Sequence, residues 1–129
     1  MFVQLIQKVT IKQVLTEKTR EKMLNDFHSR INQLQKECDQ LRFAQKVAEK
    51  QHKGKLDQVR ASYEREIAIR EDKIKQIGIQ IDQLHILPVG SELKEREMQT
   101  MIDVEVGDSW EATEGKTIVV KDGVIIEIR

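Results

Sequence analysis

His52-Lys53-Gly54-Lys55 interrupts two helical patterns of nearly equal length, and the reading of that interruption decides the fold. Before it, apolar residues fall at Leu24, Phe27, Ile31, Leu34, Cys38 and Leu41, alternately three and four apart. After it, Tyr63, Ile67, Ile74, Ile77, Ile81 and Leu84 resume the alternation, shifted in phase by one residue. A 3-4 repeat keeps one stripe facing a partner helix, the condition for coiled-coil packing. As helices, residues 17–51 would extend about 52 Å and residues 55–86 about 48 Å, at roughly 1.5 Å per residue. A chain that folds back at Gly54 therefore returns Leu84 to the neighbourhood of Glu17. A chain that runs straight gives rods of roughly 100 Å, pairing as an antiparallel dimer in which each lends its first strand to the other's sheet. The near-equal arms favour the intramolecular hairpin, a helical part over residues 16–87 with its turn near 52–55.

Outside this region the period is two. Val3, Leu5, Val9 and Ile11 face one way and Gln4, Lys8, Thr10 and Lys12 the other, which reads as a half-buried strand. Thr16 before Glu17 supplies a hydroxyl cap and a carboxylate at the positive end of a helix dipole, although Thr10 with Gln13 offers an earlier start. Pro88-Val89-Gly90 ends the second helix, because Pro88 pushes Leu87 out of the helical region. Gly78 lies inside that helix at a cost of roughly 1 kcal/mol against Ala, either permitting close helix approach or merely tolerated. Beyond the proline, Met98, Thr100, Ile102, Val104 and Val106 alternate with polar neighbours up to a turn at Gly107-Asp108. Thr117–Lys121 and Val124–Ile128 then flank Asp122-Gly123, a strong hairpin signal because both central residues of a type I′ turn need positive φ. The expected fold is α+β: a long antiparallel helical hairpin, or coiled-coil stalk, on a small antiparallel β module of about four strands. That module is drawn from residues 1–15 and 96–129.

The 129 residues carry 34% charged and 4% aromatic side chains, as expected when much of the mass is exposed helix. Net charge is zero but uneven: residues 1–16 carry +2, residues 17–86 carry +3 and residues 87–129 carry −5. Such a split either guides self-association, aims a basic surface at a polyanion, or is solvated surface charge without a partner. The single Cys38 excludes an internal disulfide framework, sits on the apolar stripe as a small hydrophobe, and fits a reducing compartment. No signal peptide is visible, and no apolar run approaches the ~18 residues of a membrane span, so a cytoplasmic location is expected.

Towards the break the stripe positions become Gln45, Ala48, His52 and Lys55, so that end of the hairpin should be mobile. Lys46, Lys50, Lys53, Lys55 and Arg60 against Glu49 and Asp57 leave it basic, a candidate polyanion contact, although no aromatic is interleaved to stack bases. The simpler reading is a solvated helical turn. Trp110, the one large aromatic of the β part, is expected as a lid on the core, with a partner contact as the alternative role. The three histidines, His28, His52 and His85, lie too far apart for one metal to use them all. Neither a phosphate loop, a nucleophile elbow nor a Cys-pair metal motif is present, so no catalytic, metal or cofactor-binding residue is nominated and no small-molecule substrate is evident.

Several stretches resemble the YlqD family of bacterial proteins. They are Thr10 with Val14-Leu15-Thr16-Glu17-Lys18, Glu37-Cys38-Asp39-Gln40-Leu41-Arg42-Phe43, Gln83-Leu84-His85-Ile86-Leu87-Pro88-Val89-Gly90-Ser91-Glu92-Leu93, and Lys116-Thr117-Ile118-Val119-Val120-Lys121-Asp122-Gly123. The similarity is spread over the whole chain, and none of these stretches is a catalytic signature. The family has no established active site to carry over. Its frequent encoding beside ribosomal-protein and ribosome-maturation genes implies, by analogy, an association with translation. The expected function is a non-enzymatic cytoplasmic interaction or scaffold protein that presents its coiled-coil hairpin to a protein partner or to itself. The alternative is an RNA- or ribosome-associated accessory factor that binds through the basic hairpin tip.

Overall fold

A computed structural model describes residues 1–129. The chain divides into two compact units, one made of residues 1–20 and 88–129 and the other of residues 21–87.

Helix α1 spans Glu17–Gln51 and helix α2 spans Leu56–Ile86, joined by a single 3-10 turn at Lys53–Lys55. Glu37 and Arg42 of α1 pair with Arg70 (3.9 Å) and Glu71 (2.8 Å), while Glu49 near the turn pairs with Arg60 at 2.8 Å. The helices therefore run antiparallel, and the hairpin rather than the straight rod is what forms. Cys38, Ile67, Ile77 and Leu84 are buried and the other stripe positions half-buried, as the 3-4 pattern requires of two helices covering only each other's facing side. Each buried Ile or Leu contributes about 1.5–3 kcal/mol. Leu87 is extended (φ −64°, ψ 131°) ahead of Pro88, and its N–H still bonds Gln83 O at 3.1 Å.

The structure specifies the role of two glycines in the helical unit. Gly54 is not in the left-handed region. The reversal is made instead by His52 (φ −123°, ψ 55°) and Lys55 (φ −133°, ψ 35°), which leave helical geometry on either side of it. At Gly78 an added Cβ would meet nothing within 4 Å, so this glycine serves no close helix approach.

The other unit is a four-stranded sheet in the order β2-β1-β3-β4, with β1 at Phe2–Val14, β2 at Glu92–Glu105, β3 at Lys116–Lys121 and β4 at Val124–Ile128. β2 runs antiparallel to β1 along its whole length, from Val14↔Glu92 to Phe2↔Glu105, with a bulge at Ile11/Lys12. β3 lies on the other side of β1 and is parallel to it, from Val9↔Lys116 to Gln13↔Val120. The sheet is therefore mixed, not wholly antiparallel. The direction follows from the connection. β2 returns the chain to the start of β1, and a strand that sets off from there along the opposite flank travels in the direction of β1 itself.

β3 and β4 form the antiparallel hairpin expected at Asp122-Gly123, whose φ values of 49° and 80° are those of a type I′ turn. The core of the unit is small: Leu15, Val119 and Ile11 are its buried apolar residues. Leu15 is fixed by its backbone as well, its N–H donating to Ser91 O and its carbonyl accepting from Gly90 N–H, both at 2.7 Å. Thr16 caps α1, its hydroxyl oxygen accepting from the Thr19 N–H at 3.1 Å.

Candidate interaction surfaces

Two surfaces combine exposed apolar side chains with charge mainly of one sign, one in each unit. The first is the hairpin tip. Lys46, Lys50, Lys53 and Lys55 are exposed there and make no ion pair. Arg60 differs from them: its Nε donates to Glu49 Oε1 at 2.8 Å, and Gln45 Nε2 adds a second bond to that oxygen at 3.3 Å. The bonds from Arg60 and Gln45 hold the Glu49 carboxyl below its usual range, and the bond to Glu49 raises the Arg60 guanidinium. Gln45, Glu49 and Arg60 thus clasp the helices where the apolar stripe runs out. Of the five basic residues nominated from the sequence, four stand free and one is engaged.

Beside the lysines, Phe43 is 70% exposed and Val47 is also open. Phe43, Lys46, Val47 and Lys50 are spaced three and four apart, hence one stripe on the outer side of α1. An aromatic therefore does adjoin the basic cluster. It escapes a sequence reading because it lies outside both the packing stripe and the lysine run.

The second surface lies at the start of β1 and the end of β2. Val3 pairs with Val104 there, and the chain then turns at Gly107 (φ 102°) into the crossover to β3. The Asp108 carboxylate accepts from the Glu105 N–H at 2.9 Å while its own N–H donates to Glu105 O at 3.1 Å, which closes the turn. A 3-10 turn at Trp110–Thr113 follows, with the Thr113 hydroxyl donating to Trp110 O at 2.6 Å. At its far end the crossover is held by buried Gln7, whose Nε2 donates to Ala112 O (3.3 Å) and Glu114 O (2.9 Å). Gln7 was not singled out by the alternation, although it shares the apolar face of β1 with Val3, Leu5 and Val9.

The backbone of the crossover is thus tied down while Trp110 is left 74% exposed. This corrects the expectation of a core lid: Gln7, not the indole, fastens the crossover to the sheet. Met1, Val3, Val104, Val106 and Trp110 line an open, mainly apolar groove of about 400 Å³. Its charged side chains are acidic: Glu105 and Asp108 line it, and Asp103, Glu111 and Glu114 adjoin them in sequence without an intervening Lys or Arg; none of the five makes an ion pair.

More apolar surface lies open elsewhere in the sheet unit. Phe2, Ile6 and Met101 on the opposite face are more than half exposed, as are all four apolar residues of the edge strand β4. A furrow of about 490 Å³ in the helical unit is lined chiefly by Arg30, Gln33, Glu37, Lys73, Gln76 and Gln80, without a nucleophile. His28, His52 and His85 are all exposed, and no group of three or more His, Cys, Asp or Glu residues is placed to hold a metal. Neither helix is long and apolar enough to cross a membrane.

Residues 3–129 match the YlqD protein family model. Over 129 residues the chain is 44% identical to a Bacillus subtilis (strain 168) protein named "Uncharacterized protein YlqD", covering 98% of each. Its fold is similar to that of a crystal structure of an unknown-function protein from Synechococcus sp. WH 8102. The TM-score is 0.90 at 16% identity, over 100% of this chain and 97% of that one. A helical hairpin and a mixed four-stranded sheet, in a sequence matched almost from end to end, make this chain a member of the YlqD family.

Proposed function

We propose that the protein is a non-enzymatic, cytoplasmic interaction protein that engages a protein partner through its exposed apolar surfaces. The observation that carries this reading is Trp110, a large aromatic kept 74% exposed on a crossover whose backbone is hydrogen-bonded at both ends. Tryptophan is enriched among residues that dominate binding energy, and a fixed backbone lowers the entropy lost when it is covered. A contiguous exposed apolar patch rimmed by polar groups marks a contact site more often than chance exposure. The groups with displaced pKa values are partners in surface ion pairs, and none of them lines the Trp110 groove. The test is capture of partners from the native cell by tagged parent and Trp110→Ser chains, with and without nuclease. Nuclease-resistant capture that Trp110→Ser loses supports the reading; capture unchanged by the substitution removes it.

A second reading, contact with RNA or the ribosome through the hairpin tip, is favoured by four unpaired lysines beside an exposed Phe43. Lysines neutralise phosphates, and an aromatic supplies a stacking platform. Changing Lys50, Lys53 and Lys55 to Gln would then weaken co-sedimentation with ribosomes and lower its salt slope by up to about two to three.

A further inference from the structure

We propose that the Trp110 groove of one copy receives the hairpin tip of a second copy, giving head-to-tail self-association. The inference rests on the interaction reading above and names the occupant. Each surface has an apolar centre within a charged frame, and the frames are of opposite sign. At the tip, exposed Phe43 and Val47 lie on one stripe with Lys46 and Lys50, with Lys53 and Lys55 beyond. In the groove, Trp110, Val3, Val104 and Val106 are bordered by Glu105 and Asp108, with Asp103 and Glu111 close in sequence.

Neither set of charges is compensated within its own unit. The four tip lysines have no carboxylate partner, and the five acids from Asp103 to Glu114 have no basic one. Apolar contact supplies affinity, while complementary rims steer the encounter and set the register. A lysine-framed apolar stripe on a helix is the shape that an acid-framed open groove accepts.

Because tip and groove are different surfaces, the contact is heterologous. One chain that has docked its tip still offers a groove, so assembly proceeds beyond a dimer unless the rotation closes a ring.

The test uses two charge-reversed full-length chains. Lys46→Glu, Lys50→Glu and Lys53→Glu together make the tip acidic like the groove. Asp103→Lys, Glu105→Lys and Glu111→Lys together make the groove basic like the tip. All six side chains are exposed and unpaired, so the fold is retained, which circular dichroism verifies.

Sedimentation velocity of the parent should show concentration-dependent species larger than a dimer at low salt. These should weaken at about 0.5 M salt, where the screening length falls to roughly 4 Å. Each reversed chain alone should associate at least about tenfold more weakly, and an equimolar mixture should regain the assembly, since every tip again meets an opposite groove. Carbodiimide cross-linking of mixed ¹⁴N and ¹⁵N chains should join tip lysines to groove acids between isotopes. A strictly monomeric parent at millimolar concentration overturns the proposal, while leaving the interaction reading to the capture experiment. So do reversed chains that assemble as the parent does, a mixture that fails to recover, or cross-links confined to one isotope.

Discussion

The Thr16 hydroxyl donates to the Asp122 carboxylate at 2.8 Å, joining the cap of α1 to the β3–β4 turn across 106 residues of sequence. The same oxygen accepts from the Thr19 N–H, and with its one proton committed to Asp122 it must also accept from the Thr19 hydroxyl at 2.9 Å. One side chain therefore terminates a helix and anchors a hairpin. Thr16→Ala should cost about 1 kcal/mol or more in denaturant unfolding, the usual value of a lost cap with a second bond added. Amide exchange should accelerate both in the first turn of α1 and at residues 121–124. Acceleration confined to the helix would show that the link to Asp122 is not made.

The turn that Asp122 occupies yields its own expectation. Gly123 has φ 80°, where a β-branched side chain is strained, so Gly123→Val should destabilise by at least ~1 kcal/mol. Thermal melts compare the variant with the parent directly, and an unchanged midpoint would argue against a type I′ turn there.

Glycines inside the hairpin should behave in the opposite sense. Gly54 and Gly78 both have open space where a Cβ would stand, and neither adopts positive φ. Gly78→Ala should stabilise by roughly 1 kcal/mol through helix propensity. Gly54→Ala should be neutral or stabilising by a few tenths of a kcal/mol, since the reversal is made by His52 and Lys55. A large loss at either site would reveal a close contact or a backbone requirement that the geometry does not contain.

Acid sensitivity has a located source. Hydrogen bonds from Arg129 hold the Glu92 carboxyl below its ordinary value of 4.5, and bonds from Lys94 and Lys8 do the same for Glu97. A folded value below the unfolded one means stabilisation that is complete above the unfolded pKa and is lost as pH falls through the folded pKa. At low salt the melting temperature of the parent should therefore decline below about pH 4.5. That decline should be shallower in Glu92→Gln, which has no proton to gain. Parallel curves for the two chains would mean that the Glu92–Arg129 pair does not form in solution.

How far the sequence could be read depended on whether a signal was periodic or relational. The helical stripe was legible from Leu24 to Leu84 because two helices that bury one side each must repeat at 3-4 spacing. The Asp122-Gly123 turn was legible because few residue pairs accept positive φ twice. The first half of β2 was not. Glu92-Leu93-Lys94-Glu95-Arg96-Glu97 lacks alternation, being held by the ladder to β1 and by cross-strand bonds such as Lys8–Glu97 and Gln13–Glu95.

The parallel β1–β3 pairing was equally hidden, since local patterns do not say on which flank of β1 a strand will land. At the candidate surfaces, the lysines of the tip were visible as charge. The exposure of Trp110 and Phe43 was not, because an apolar residue in sequence carries no mark of whether its backbone is tethered above the core or away from it.

The central claim is that the groove around Trp110 stands open on the folded protein, ready to be covered by a partner. Trp110 is the only tryptophan in the chain, so its fluorescence reports on this one place. Acrylamide quenching in the dilute, folded protein should approach that of the urea-unfolded chain, with emission at nearly the same wavelength in both. Emission should move to the blue, and quenching fall, as the concentration of protein or of a captured partner rises. A blue-shifted, quench-resistant indole in the dilute folded chain would contradict the account, because it would place Trp110 in the core.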